Sequence, residues 1–114
     1  MIEHFAGQVA HLIDGKAKAM IVTRSRLHAV RYKHAVDRYL KEHGYPYKAL
    51  VAFSGTVRDG GIDYTESNMN GFPETQTAET FKQDAYRILI VANKFQTGFD
   101  QPQLHTMYVT TPHG

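Results

Sequence analysis

Three short apolar runs set the strongest limit on how this chain folds: "AMIVT" (Ala19 to Thr23), "KALVAF" (Lys48 to Phe53) and "YRILIVA" (Tyr86 to Ala92). Each is too short for a core helix, rich in β-formers, and apolar at consecutive positions, as in strands covered on both faces. Between the first two runs lies a helical pattern. Ser25 is placed to cap it, Ala29, Tyr32, Val36, Tyr39 and Leu40 recur at three- and four-residue spacing, and Gly44 is placed to end it. The opposite side of that helix carries the charges. Strand, helix and strand joined by short connections imply a right-handed crossover and a parallel sheet flanked by helices, an α/β fold in three layers. Further elements are expected as an amphipathic helix over Ile2 to Ile13, a short helix over Ala78 to Asp84 ("AETFKQD"), and a fourth strand over His105 to Val109 ("HTMYV").

The 114 residues suit one domain, spanning 1–114, and 42% hydrophobic content suffices for one core. No apolar run approaches the roughly 20 residues that span a bilayer, and "MIEHFAGQVAHLIDGK" lacks the basic start and apolar centre of a signal peptide. A soluble, cytoplasmic protein without membrane contact is expected. Having no cysteine, the chain cannot form disulfides, thiolate nucleophiles or Cys-type zinc sites.

A net charge of +2 conceals a polarised distribution. Lys16, Lys18, Arg24, Arg26, Arg31, Lys33, Arg38, Lys41 and Lys48 lie in one stretch against only Asp37 and Glu42, and the rest of the chain is acidic. Such a stretch either presents a basic face to phosphates or is a solvated helix surface. Residues 54 to 77, "SGTVRDGGIDYTESNMNGFPETQT", read as a long loop rich in Gly, Asn and Thr. Structureless loops beyond about 12–15 residues are uncommon, so this one is expected to be functional or partly disordered.

In a parallel α/β sheet, ligands collect beyond the carboxyl ends of the strands, where loops and helix N-termini converge. The residues found there are Thr23-Arg24-Ser25-Arg26, Ser54-Gly55-Thr56, and Asn93-Lys94 leading to Thr97-Gly98-Phe99-Asp100. Hydroxyls, arginines and backbone N–H groups beside glycine are suited to a sugar-phosphate backbone. Plainer roles compete at each position: Ser25 as an N-cap, Ser54-Gly55 as a turn, Thr97-Gly98 as a turn with Asp100 capping the segment after it.

Other chemistry is excluded more firmly. Gly15-Lys16 is followed by alanine and has no glycine at the distance a GxxxxGK[ST] phosphate loop requires. Gly60-Gly61 follows no strand that would make a dinucleotide fingerprint. His4, His11, His28, His34, His43, His105 and His113 contain no HxxxH or HExxH pair, and His4 and His11 stand two helical turns apart, about 10 Å, so no metal site is expected. A GxSxG nucleophile elbow is also absent. No catalytic residue is assigned in this chain.

Taken together, "KAMIVTRSR", "ALVAFSG" and "ILIVANKFQTGFDQPQLHTMYV" resemble the second RecA-like motor domain of superfamily-two helicases, and within it the motor and restriction subunit of type I restriction enzymes. The likeness runs over about residues 2 to 109, including Tyr64-Thr65-Glu66 and Asn70-Gly71-Phe72. Its third block is the most specific. The resemblance implies a RecA-like (P-loop NTPase-type) helicase C-terminal-type domain, present as a fragment. It implies that Thr23, Arg24, Ser25, Ser54, Gly55 and Thr97 face a DNA backbone, and that Gly98 and Asp100 approach the ATP ribose across a cleft between two lobes.

By the same resemblance the parent would be an ATP-dependent type I site-specific deoxyribonuclease that translocates along double-stranded DNA. Its partners would be the first RecA-like domain of the same chain and the specificity and methyltransferase subunits. ATP and Mg2+ would be held mainly by regions outside this chain, with none tightly bound here. The sequence lacks nuclease residues, a DExH-type box and the arginine-containing sixth motif, and "TTPHG" departs from the family pattern, so an inactive excised domain is expected. The competing expectation is a non-enzymatic nucleic-acid-binding or interaction module of α/β fold, working through the basic stretch from 16 to 48.

Overall fold

The aliphatic runs form a parallel sheet because consecutive buried side chains need cover on both faces. The computed structural model describes residues 18–92 and, for their backbone alone, 104–108. In chain order the elements are β1 (Lys18–Thr23), α1 (Arg26–Glu42), β2 (Lys48–Ala52), β3 (Val57–Asp59), β4 (Ile62–Tyr64), α2 (Glu66–Asn70), a 3-10 turn (Glu74–Gln76), α3 (Thr77–Phe81), β5 (Tyr86–Ala92) and β6 (Leu104–Tyr108). The main sheet has the order β2-β5-β1-β6, with every neighbouring pair parallel. The expected helix over Ile2 to Ile13 lies outside the described residues.

Alternation along each strand divides the core in two. Ala19, Ile21, Ala49, Val51, Phe53, Ile88, Ile90 and Ala92 pack with Ala29, Val30, Tyr32, Val36 and Leu40 of α1. Met20, Val22, Leu50, Ala52, Leu89 and Val91 pack against Phe81 of α3. Three layers result. Each fully buried Val, Ile or Leu in this arrangement contributes about 1.5–3 kcal/mol relative to exposure.

Helix α1 begins where Ser25 adopts an extended conformation and its side chain accepts from the His28 backbone N–H. It closes with Tyr45 N–H donating to Leu40 O (2.9 Å) and Gly44 N–H donating to Lys41 O (3.2 Å), the paired bonds of a Schellman ending. One position departs from the amphipathic expectation. Lys33, counted with the charged side, is buried, and it is accommodated because Asp37 one turn later pairs with its ammonium.

Residues 54 to 77 are ordered. Gly60 and Gly61, both at positive φ (62° and 81°), join β3 to β4 as a two-residue hairpin turn, a conformation that glycine adopts without steric cost. Thr65 and Asn68 then form a reciprocal capping box at the start of α2.

Helix α2 covers the outer edge of β2. The Asn70 side-chain amide accepts from Val51 N–H (3.0 Å) and donates to Val51 O (2.8 Å), and Glu66 Oε1 accepts from Phe53 N–H (3.0 Å). An exposed edge would leave these backbone groups available to another strand; here side chains take the place of that strand. Among the described residues no buried side-chain nitrogen or oxygen lacks a hydrogen-bond partner.

Candidate functional site

Parallel pairing places the carboxyl ends of β1, β2 and β5 side by side. Thr23 is level with Ala92, and Ala52 with Val91. Because β5 lies between β1 and β2, its exit at Ala92 falls between theirs.

Side chains then tie these exits together. The Thr23 hydroxyl lies 3.0 Å from Val91 O and 3.0 Å from Ser25 O, binding the end of β1 to its neighbour and to the turn that starts α1. Its side chain is 1% exposed, so Thr23 contributes position to the rim and not a surface hydroxyl. Arg24, next in the chain, is exposed. Ser25 Oγ accepts from His28 N–H (3.2 Å) and sits 2.8 Å from His28 Nδ1.

Arg26 reaches across from α1 to the segment after β2, its Nη1 donating to Ser54 O at 2.8 Å. Gly55 lies beneath that guanidinium at φ +71°, and a Cβ there would stand 2.9 Å from Nη1. The positive φ favours glycine, whereas the close approach would displace only the flexible end of the Arg26 side chain. Arg24, Ser25, Arg26, Ser54 and Gly55 thus occupy one rim, with two exposed arginines and an exposed glycine turn. Thr97, Gly98 and Asp100 lie outside the described residues.

Glu66 supports this rim from behind. It is 7% exposed, its Oε1 accepting from Phe53 N–H and its Oε2 accepting from the Thr77 hydroxyl at 2.6 Å. Burial raises its pKa above the ordinary carboxylate value; the hydrogen bonds from Thr77 and Phe53 partly offset this, and the nearby Glu74 charge adds to it. Sequence reasoning assigns Glu66, Thr77 and Asn70 no role. The available signal is Thr65-x-x-Asn68, a helix start that places Glu66 in its first turn.

The basic stretch does not form one free cationic face. Arg31 donates to both carboxylate oxygens of Asp59 at 3.3 Å, and Lys33 pairs with Asp37. Two cations of the stretch are thus engaged by carboxylates, while Arg38 and Lys41 are exposed. A cavity of about 480 Å³ lies at the opposite end of the sheet, lined by Tyr45, Tyr47, Lys48, Tyr86 and Met69 among others; no residue of the strand-end rim lines it. Among the described residues no three His, Asp or Glu side chains are grouped as metal ligands, and no helix is long and apolar enough to cross a membrane.

Fold and rim together define a parallel α/β domain whose exposed cations and glycine turn gather at the carboxyl ends of its strands. Two proteins of Methanocaldococcus jannaschii place it further, both provisionally named as type I restriction enzyme endonuclease subunits. The MjaVIIP subunit is 32% identical over 117 residues, covering 85% of this chain and 10% of the relative. The MjaIXP subunit is 34% identical over 117 residues, covering 98% of this chain and 10% of the relative. The chain is therefore related to one segment of type I restriction enzyme endonuclease subunits, and spans about a tenth of their length. No family model and no solved structure matches it.

Proposed function

We propose that the chain is the second RecA-like lobe of the ATP-dependent DNA translocase motor in a type I restriction endonuclease. The observation that carries this reading is the joining of the β1 and β2 exits through Arg26 and Ser54, with the β5 exit between them. A parallel α/β sheet binds its ligand at such strand ends. Arg24, Ser25, Ser54 and Gly55 line the rim and would meet a phosphate backbone, with Arg24 and Arg26 supplying charge. Contacts of this kind are independent of base sequence and weaken with salt, because each cation that neutralises a phosphate releases a counterion.

The relatives' names support a restriction-endonuclease parent. The parent's partners would be double-stranded DNA, a first RecA-like lobe, and specificity and methyltransferase subunits. ATP and Mg2+ would supply the driving reaction between the lobes. Gly98 and Asp100, which the resemblance assigns to nucleotide, lie outside the described residues, and no step of ATP chemistry is assigned to the rim.

The test is duplex DNA binding by the full chain, measured as fluorescence anisotropy over a salt series. Arg24→Gln and Arg26→Gln should each weaken binding and lower the slope of log affinity against log salt by about 1. Wild-type binding that neither substitution changes would refute the assignment of the rim.

A further inference from the structure

We infer that Glu66 is a positioning residue for the strand-end rim: it holds the exit of β2 so that the Ser54-Gly55 turn anchors the Arg26 guanidinium. This rests on the reading of the rim as a nucleic-acid-backbone site and adds a residue that does not itself face the ligand.

The chain of contacts is short. Glu66 Oε1 accepts from Phe53 N–H at 3.0 Å, fixing the backbone immediately before Ser54. Ser54 O in turn accepts from Arg26 Nη1 at 2.8 Å, and Gly55 leaves space directly under that nitrogen. The carboxylate is itself held at its other oxygen by Thr77 of α3, at 2.6 Å. Glu66 therefore links α3, on one face of the sheet, to the end of the outermost β2 strand.

Among the described residues no further strand lies beyond β2 to hold Phe53, since β2 is the outermost strand of the order β2-β5-β1-β6. The neighbouring Val51 is held by the Asn70 amide through both its N–H and its carbonyl, whereas Phe53 N–H is held by Glu66. Removing the carboxyl frees the last ordered step before the turn. The guanidinium then has a mobile anchor, and an arginine that must first be ordered binds phosphate less tightly than one already in place.

A glutamine at this position preserves the arrangement. Its carbonyl can accept from Phe53 N–H, and its amide can donate to the Thr77 oxygen, which accepts as readily as it donates. Alanine preserves neither bond.

The experiment uses the full 114-residue chain, wild type and the variants Glu66→Ala, Glu66→Gln and Thr77→Val. Binding to a fluorescein-labelled duplex is followed by anisotropy across a salt series, and ¹H–¹⁵N spectra are recorded without DNA. Glu66→Ala should bind about tenfold more weakly with the salt slope unchanged, because Arg26 still neutralises its phosphate once ordered. Its Ser54, Gly55 and Arg26 side-chain resonances should move while those of Ile21 and Ile90 stay in place. Glu66→Gln should match wild type in both measurements, which a loss of folded protein would not explain.

If Glu66→Ala does not fold, Thr77→Val, which releases only one carboxylate oxygen, should still show the shifted rim resonances and a smaller loss of affinity. Wild-type affinity in Glu66→Ala, or a Thr77→Val spectrum unchanged at Ser54, Gly55 and Arg26 when alanine does not fold, would overturn the inference. A wild-type chain that binds no duplex would instead defeat the reading of the rim on which it rests.

Discussion

Arg26 Nη1 lies 2.8 Å from Ser54 O, joining residues 28 positions apart and tying the turn after β1 to the turn after β2. The bond closes over Gly55, where a Cβ would stand 2.9 Å from the same nitrogen. Gly55→Ala should therefore act twice. The positive φ costs about 1–2 kcal/mol for an alanine, and the methyl displaces the guanidinium. Thermal melting should show the destabilisation, and anisotropy a loss of duplex affinity. An alanine variant with wild-type stability and affinity would show that neither constraint operates.

Asn70 satisfies both backbone groups of Val51 on the outer edge of the sheet. Asn70→Ala leaves that N–H and C=O to find solvent at a partly buried site, with an expected loss of about 1–3 kcal/mol in urea unfolding. Asn70→Asp tests the geometry more finely, since a carboxylate still accepts from Val51 N–H but repels Val51 O. It should be destabilised as well at neutral pH. Unchanged midpoints in both variants would remove α2 from its role as edge cover.

Much of this architecture is legible along the chain, because it is local. The runs at 19–23, 48–53 and 86–92 become β1, β2 and β5 within a residue or so, and Ser25 and Gly44 bound α1 as their chemistry suggests. The region from 54 to 77 is harder to read. Its strands are three residues each, and Ile62 is 55% exposed, so no period-two pattern marks them. Gly60-Gly61 is the hairpin signal present, but it matters only once two very short strands are admitted on either side. The contacts that build the rim are beyond local reading altogether. Arg26 meets Ser54, and Glu66 meets Thr77, through folding of the sheet and not through any spacing that a helix or strand would impose. Lys33 escapes a local reading for the same reason, its burial depending on elements that arrive later in the chain.

Stability should depend on pH through Glu66 in the sense opposite to an ordinary salt-bridged carboxylate. Its folded-state pKa is raised, chiefly by burial and further by Glu74, so the folded chain binds the proton more tightly than the unfolded chain. As pH falls from neutral through the raised value toward the unfolded one, this group's contribution to stability increases; as pH rises through the same window, it is lost. Glu66→Gln has no carboxyl to titrate, and should flatten that part of the profile. Denaturation midpoints measured across the acid range for both chains would reveal the difference, and parallel profiles would contradict the assignment.

Neutralising α1 separates the two readings of the basic stretch. Arg31 and Lys33 are engaged with Asp59 and Asp37, and the exposed Arg31 with its half-buried partner is an ion pair worth about 0–1 kcal/mol. Arg31→Gln should leave duplex affinity within about twofold of wild type, whereas Arg24→Gln should not. A larger loss at Arg31 and Arg38 than at Arg24, with indifference to Thr97 and Asp100, would favour the module that works through its helix.

The chain contains no GxxxxGK[ST] loop, so the 114 residues alone should hydrolyse no ATP above background. Phosphate release assays with and without duplex DNA measure this. Turnover that disappears in Asp100→Ala would contradict the expectation.

The central claim is that the strand-end rim meets a nucleic-acid backbone, and titrating ¹⁵N-labelled chain with duplex DNA of unrelated sequences while following each amide tests it most directly. The account predicts shifts at Arg24, Ser25, Arg26, Ser54 and Gly55 for every duplex, reversed by salt, with Lys48 and Tyr86 at the far end of the sheet unmoved. Shifts confined to Arg31 through Arg38 of α1, or centred on Lys48 and Tyr86, would contradict it.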